Sequence, residues 1–134
     1  MRFMAWHLDY FRANPTERGR SKIAESAEPV STGESLLVFV SFEKGDEQRL
    51  SIIDDGARAI REIAESVGTK EIVINPYAHM FGELSSPEFA QSATSKLAEE
   101  LSKSFSTKKL AFGWFYEIEL KAKGHKLARQ SRIV

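Results

Sequence analysis

The 134-residue chain contains no cysteine, which excludes disulfides, thiolate metal sites and a cysteine nucleophile. That absence agrees with a cytoplasmic setting. No apolar run approaches the roughly 18 residues needed to cross a bilayer, so no membrane partner is expected. The opening Met1-Arg2-Phe3-Met4-Ala5-Trp6-His7 has no apolar stretch of signal-peptide length, because His7 and Asp9 interrupt it. The glycine patterns of phosphate-binding loops, dinucleotide folds and serine hydrolases are missing as well. There are only three histidines, His7, His79 and His125. No two of them have the i, i+4 spacing of a helical zinc site, so neither a metal nor a resident cofactor is expected. The chain also lacks net charge, which argues against a ribosomal-type domain with a broad basic face.

What is present fits one domain: 42% apolar and 28% charged residues are ordinary for a soluble globular chain of this length. The zero net charge hides an asymmetry. From Lys103 onward eight basic residues face only Glu117 and Glu119, a net +6. Such a segment either attracts phosphate or an acidic partner, or is a solvated face or a linker to another domain.

Arg2 to Leu8 has the apolar content of a short buried strand. Phe11 to Glu34, with Pro15, Gly19, Pro29 and Gly33, reads as a loop or short irregular strands. Leu36 to Phe42 is the clearest strand, apolar enough to be buried on both faces. Leu50, Ile53, Ala57, Ile60, Ala64 and Val67 then recur at helical spacing, with Gly68 as the stop. Glu71 to Asn75 reads as a second central strand, halted by Pro76. A second helix is expected after Ser85, with Ser86 as cap and Pro87 in the first turn, running through Phe89, Ala93, Leu97 and Leu101. Lys109 to Leu120 reads as one or two strands bent at Gly113, and Gln130 to Val134 as the start of a linker. The fold class is therefore α/β: a compact mixed sheet with two main helices on one side. Architecture of this kind does not specify a reaction.

His79, just beyond the strand ending at Asn75, stands where loops present side chains to ligands. It is either a group that orients a hydroxyl or water or a loop histidine capping a carbonyl. His7 either shares that rim or completes an internal hydrogen-bond network, and His125 reads as a turn residue in basic surroundings. Phe112-Gly113-Trp114-Phe115-Tyr116 is the densest aromatic patch. Unpaired bases stack on such rings for about 1–3 kcal/mol each, although aromatic strands more often form core or a dimer interface. Alternation puts Phe112, Trp114 and Tyr116 on one face and Gly113 and Phe115 on the other. With both faces apolar, the strand is expected to be covered twice, once by the chain itself and once by a partner subunit.

Taken in order, His7-Leu8-Asp9-Tyr10, Val38 to Lys44, Pro76-Tyr77-Ala78-His79, Phe112-Gly113-Trp114-Phe115 and Lys123-Gly124-His125-Lys126-Leu127 resemble successive motifs of the archaeal threonyl-tRNA synthetase N-terminal editing domain. The resemblance covers nearly the whole chain and is weakest around Thr16 to Val30. It implies the fold of D-aminoacyl-tRNA deacylases, a homodimer, and hydrolysis of serine from mischarged threonine tRNA. It also implies that the tRNA's own ribose hydroxyl assists, and that an aminoacylating threonyl-tRNA synthetase is joined in cis or met in trans. ATP and zinc would belong to that aminoacylation core. By the resemblance Pro76, Tyr77 and Ala78 form the loop near the terminal nucleotide, and His79 holds substrate or water. Phe42 sits near the seryl group through its backbone, while Phe112, Gly113, Trp114 and Phe115 line the adenosine end.

Two positions depart from the family pattern. Tyr116 stands where relatives carry a lysine credited with recognising the seryl group, and Arg129 stands where some carry a glutamate. A phenol is neutral near pH 7 and does not replace an ammonium. The rival readings are a D-aminoacyl-tRNA deacylase, whose Ser-Gln and Gly-Pro motifs are missing here, and a non-catalytic tRNA-docking or dimerisation module.

Overall fold

The first seventeen-residue strand organises everything else. In a computed structural model describing residues 1–134, β1 runs Arg2–Arg18, well past the boundary expected at Leu8. Its first half pairs antiparallel with β3 (Ser35–Ser41) on one edge and β7 (Arg129–Ile133) on the other. From Leu8 onward the same strand pairs with β6 (Trp114–Ala122), with register shifts between Leu8 and Tyr10 and between Pro15 and Glu17, while β2 (Val30–Thr32) joins Phe11 to Ala13. Phe11 to Arg18 is thus strand rather than irregular chain. Pro15 is accommodated because β2 has already ended, so that edge needs no donor from it. The expected linker after Gln130 is instead β7, an edge strand whose wet face disguised it.

Beyond β3 the sheet turns parallel, through β4 (Glu71–Pro76) to β5 (Ser106–Lys109). Two helices make the crossovers and lie on one face, as the sequence indicated. The first, α1 (Ile52–Val67), ends on Gly68 at φ 75°, where the glycine N–H reaches back to the last carbonyls. The second, α2 (Pro87–Ser102), is capped by Ser86, whose hydroxyl accepts from Phe89 N–H. Leu50 is not on α1's buried stripe; it precedes the helix and is fully exposed, while Ile52, Ile60 and Ile63 face inward.

Each face of the sheet has its own core. Against the helices pack Phe3, Ala5, Leu36, Val38, Val40, Ile72 and Ile74. On the opposite face Leu8, Phe11, Ala13, Leu37, Val73 and Leu110 are enclosed as β6 curls back over the long strand. Period-two alternation makes both cores available from the same strands.

Candidate active site

The C-terminal ends of the parallel pair β3 and β4 lie side by side, Val40 opposite Pro76, with Tyr77 N–H donating to Val40 C=O at 2.8 Å. Such ends are where open α/β sheets place ligands. A cavity of about 390 Å³ opens there, within the range of small-ligand sites. Five segments wall it: the end of β3 through Phe42, the β4 exit from Asn75 to Ala78, Leu84 and Ser85 with the first half of α2, the turn from Ala111 into β6, and the chain at Ser21.

Phe42, Pro76, Tyr77, Ala78, Phe112, Gly113, Trp114 and Tyr116 all line this cavity, although the first and last are 74 residues apart in sequence. Phe42 offers backbone more than ring, since its side chain is buried edge-on against Phe89 at 5.7 Å. Tyr116 offers its ring, because its hydroxyl already accepts from Ala111 N–H at 3.0 Å. Phe115 points the other way, as alternation requires, and is 62% exposed. Within one chain the aromatic strand is therefore covered on one face, not two.

His79 and Arg129 stand outside the cavity lining. His79 is exposed beside a neighbouring depression formed with Arg2, Met80 and Phe81, and reaches the cavity only through Tyr77, whose ring it meets at 5.8 Å. That contact ends an aromatic ladder of edge contacts from Trp6 through Phe39 to Tyr77. Arg129 lies on β7 opposite Trp6.

One wall has no counterpart in the sequence reading. The strap from Gly19 to Glu25 closes over the aromatic turn: Gly19 N–H donates to Gly113 C=O at 2.8 Å, and Glu25 N–H to Phe112 C=O at 3.1 Å. Glu25 then accepts from Phe112 N–H at 2.8 Å through its carboxylate and from Trp114 Nε1–H at 2.7 Å through its carbonyl. Lys109 neutralises the carboxylate. Gly113 sits at φ 83° with a hypothetical Cβ only 2.9 Å from that of Ala24, so both backbone conformation and space call for glycine. Ser21 lines the cavity from the strap. These partners are mostly backbone groups, which leave no pattern in a sequence.

No carboxylate, basic side chain, histidine or cysteine lines the cavity; tyrosine is its only ionisable residue type. The wall offers stacking faces, hydroxyls, one amide and backbone groups. It holds no carboxylate or imidazole to serve as a general base.

A model of the archaea-specific editing domain of threonyl-tRNA synthetase matches residues 1–134, the entire chain. The chain belongs to this family. It is 36% identical over 137 residues to the threonine–tRNA ligase of Methanococcus vannielii and 33% over 139 to that of Thermococcus sibiricus. Both alignments take in all of this chain, which spans 22% of those relatives' length. A solved structure described as a probable eukaryotic D-amino acid tRNA deacylase superposes with TM-score 0.65, covering 98% of this chain and 97% of that one at 11% identity. The editing domain thus has the D-aminoacyl-tRNA deacylase fold. Editing by a synthetase is the removal of a wrongly attached amino acid, so the family places the chain among aminoacyl-tRNA deacylases.

The remaining histidines form a separate network away from the cavity. His7, in the middle of β1 rather than at its end, is buried with Nδ1 2.8 Å from His125 Nε2. Its Nε2 has no hydrogen-bond partner and lies 3.7 Å from Glu34. Burial holds the His7 pKa below the ordinary 6.5; Lys123 and His125 act in the same direction and Glu34 against it. The unfolded chain therefore takes up a proton below about pH 6.5 that the folded protein resists, so the contribution to stability is complete above that pH and is lost as pH falls. Melting temperature is expected to drop more steeply between about pH 7.5 and 5.5 in the wild type than in His7→Gln. Parallel curves would contradict this account.

Proposed function

We propose that the editing domain removes serine from mischarged threonine tRNA by hydrolysing the ester to the terminal adenosine. The observation that carries the reading is the cavity without a carboxylate or imidazole base at the ends of β3 and β4. With no carboxylate or imidazole in its wall to take a proton from water, the substrate's ribose hydroxyl is the group at hand to assist. Water attacks the ester carbonyl, the bond from that carbon to the ribose oxygen breaks, and the water's proton ends on that oxygen. Serine and uncharged tRNA leave. Phe112, Trp114 and Tyr116 give the terminal base faces to stack on, and Gly113 lets the nucleotide approach the backbone. Pro76, Tyr77, Ala78 and the Phe42 backbone enclose the aminoacyl end, with His79 supporting Tyr77 and solvent at the rim.

The need for such a site is physical. Serine is threonine without one methyl, which is worth only about 1–3 kcal/mol in a binding pocket. A second site that excludes the larger amino acid restores the discrimination. Two copies of the chain pairing, with Phe115 offering apolar surface, and a synthetase core carrying ATP and zinc in cis or in trans, belong to the same proposal, as does a cytoplasmic setting beside translation.

The test is release of serine and threonine from the two charged forms of threonine tRNA, with D-tyrosyl tRNA as a third substrate. Rapid release from the seryl form alone is expected. No release from it would overturn the reading, and equal release from both threonine-tRNA forms would overturn its specificity. Tyr116→Phe is expected to keep seryl hydrolysis within about tenfold of wild type, because the lost hydrogen bond to Ala111 is worth only about 0.5–1.5 kcal/mol. A loss matching removal of the substrate would give the phenol a direct role.

A further inference from the structure

Of the nineteen lysines and arginines, most lie within 4.0 Å of a carboxylate, including Lys121 and Lys123 of the basic C-terminal segment, which pair with Asp9. Arg18, Arg20 and Lys22 do not. All three are exposed, Arg18 as the last residue of β1 and Arg20 and Lys22 on the strap that follows it. Arg18 is the ladder partner of Trp114, and Arg20 and Lys22 flank Ser21; both Trp114 and Ser21 line the cavity. Glu17, the adjacent acid, comes within 4.0 Å of none of them and lies opposite Phe115 on the ladder. The backbone carrying these cations is pinned at Gly19 and Glu25 to the aromatic turn, and at Ile23, whose carbonyl accepts from Gln91 Nε2 on α2 at 2.8 Å.

We infer that Arg18, Arg20 and Lys22 form a phosphate-binding lip for the unpaired RNA strand whose last nucleoside enters the cavity. The inference rests on the proposed function and says how the strand is held outside the pocket. The cavity's own wall is uncharged and takes the base, ribose and aminoacyl group, so the phosphates of the preceding nucleotides remain at the mouth. Unpaired cations on a fixed backbone are there to meet them. Each neutralised phosphate of a single strand contributes about 0.7 to the slope of log affinity against log salt, so three contacts contribute about 2.

The experiment compares wild type with the triple variant Arg18→Gln, Arg20→Gln, Lys22→Gln. A control replaces three other exposed, unpaired cations, Lys70→Gln, Lys96→Gln and Lys126→Gln. Binding of a single-stranded RNA oligonucleotide ending in adenosine is followed by fluorescence anisotropy over a salt series. Deacylation is measured on seryl-tRNA and on 3′-seryl-adenosine, which carries no phosphate. The lip variant is expected to lose on the order of tenfold in RNA affinity at low salt, with its salt slope reduced by about 2. Its KM for seryl-tRNA rises while turnover of seryl-adenosine stays at the wild-type level, and the control stays within about twofold throughout. Equal losses in both triple variants would reduce the effect to net charge and overturn the inference. So would an unchanged lip variant, or one that loses seryl-adenosine hydrolysis as well. A wild-type protein that hydrolyses neither ester would defeat the proposed function instead, whereas a hydrolysing wild type with an unaffected lip variant would defeat only the lip.

Discussion

Gly113→Val is expected to lower stability by about 2–5 kcal/mol and seryl-ester hydrolysis by about 100-fold. The stability loss combines two costs. Left-handed backbone costs a residue with a Cβ about 1–2 kcal/mol, and a β-branched one is still less at ease there. Forcing atoms into filled space costs about 1–3 kcal/mol more, and here the Cβ alone would come within 2.9 Å of Ala24 Cβ and 3.0 Å of its Cα. The strap cannot simply withdraw, because Glu25 and Gly19 tie it to the same turn. The displaced atoms are therefore those of Phe112, Trp114 and the strap, which are the cavity wall. A shift of about 1 Å in a reacting geometry is enough for a 100-fold rate loss. Gly124→Val is the control, since a Cβ there meets nothing within 4 Å and its cost should stay within about 0.5 kcal/mol. Thermal melts and single-turnover deacylation of both variants decide the matter. Wild-type behaviour of Gly113→Val would mean that the aromatic turn is not a built wall.

Legibility followed the kind of signal each element carries. Leu36 to Phe42 was readable because a strand buried on both faces must be apolar throughout. α2 was readable to its first residue because Ser86 and Pro87 do chemistry specific to a helix start. The second half of β1 was not, although Phe11 and Ala13 alternate with Arg12 and Asn14. Pro15 and the glycines that follow read as loop, and only the early end of β2 frees the edge that Pro15 needs. β7 escaped because an edge strand with mostly exposed residues resembles a polar tail. At the site, the short motifs from three distant segments converge on one cavity, while His79 and Arg129, drawn from the same family pattern, lie off its wall. Ser21 and Glu25 had no signal at all. Glu25 acts through hydrogen bonds to Phe112 and Trp114, nearly ninety positions away, Ser21 reaches the cavity only on the strap those bonds hold, and only the fold brings these residues together.

The part of β1 that the sequence concealed makes the sharpest demand on stability. Phe11 is fully buried, set between Thr32 of β2 and Leu120 of β6, with Leu8, Ala13, Leu37, Val73 and Leu110 around it. Phe11→Ala is expected to cost about 3–5 kcal/mol, the transfer term of the ring plus the cavity left behind. For a domain of this size that lowers the melting temperature by roughly 10–20 °C. Relaxation cannot fill the hole cheaply, because strands on both edges hold the backbone on which Phe11 sits. The same cluster includes Tyr116 on its margin and Leu110 immediately before the cavity's Ala111. Deacylation measured well below the melting point should therefore fall as well, by less than Gly113→Val produces. Phe81→Ala provides the contrast: that ring is equally large but completely exposed, and its removal should change stability by no more than about 0.5 kcal/mol. Were Phe11 part of an irregular surface segment, the two variants would melt together. A loss below about 1 kcal/mol for Phe11→Ala would deny the long strand its place as the spine of the second core, and with it the support behind the aromatic wall.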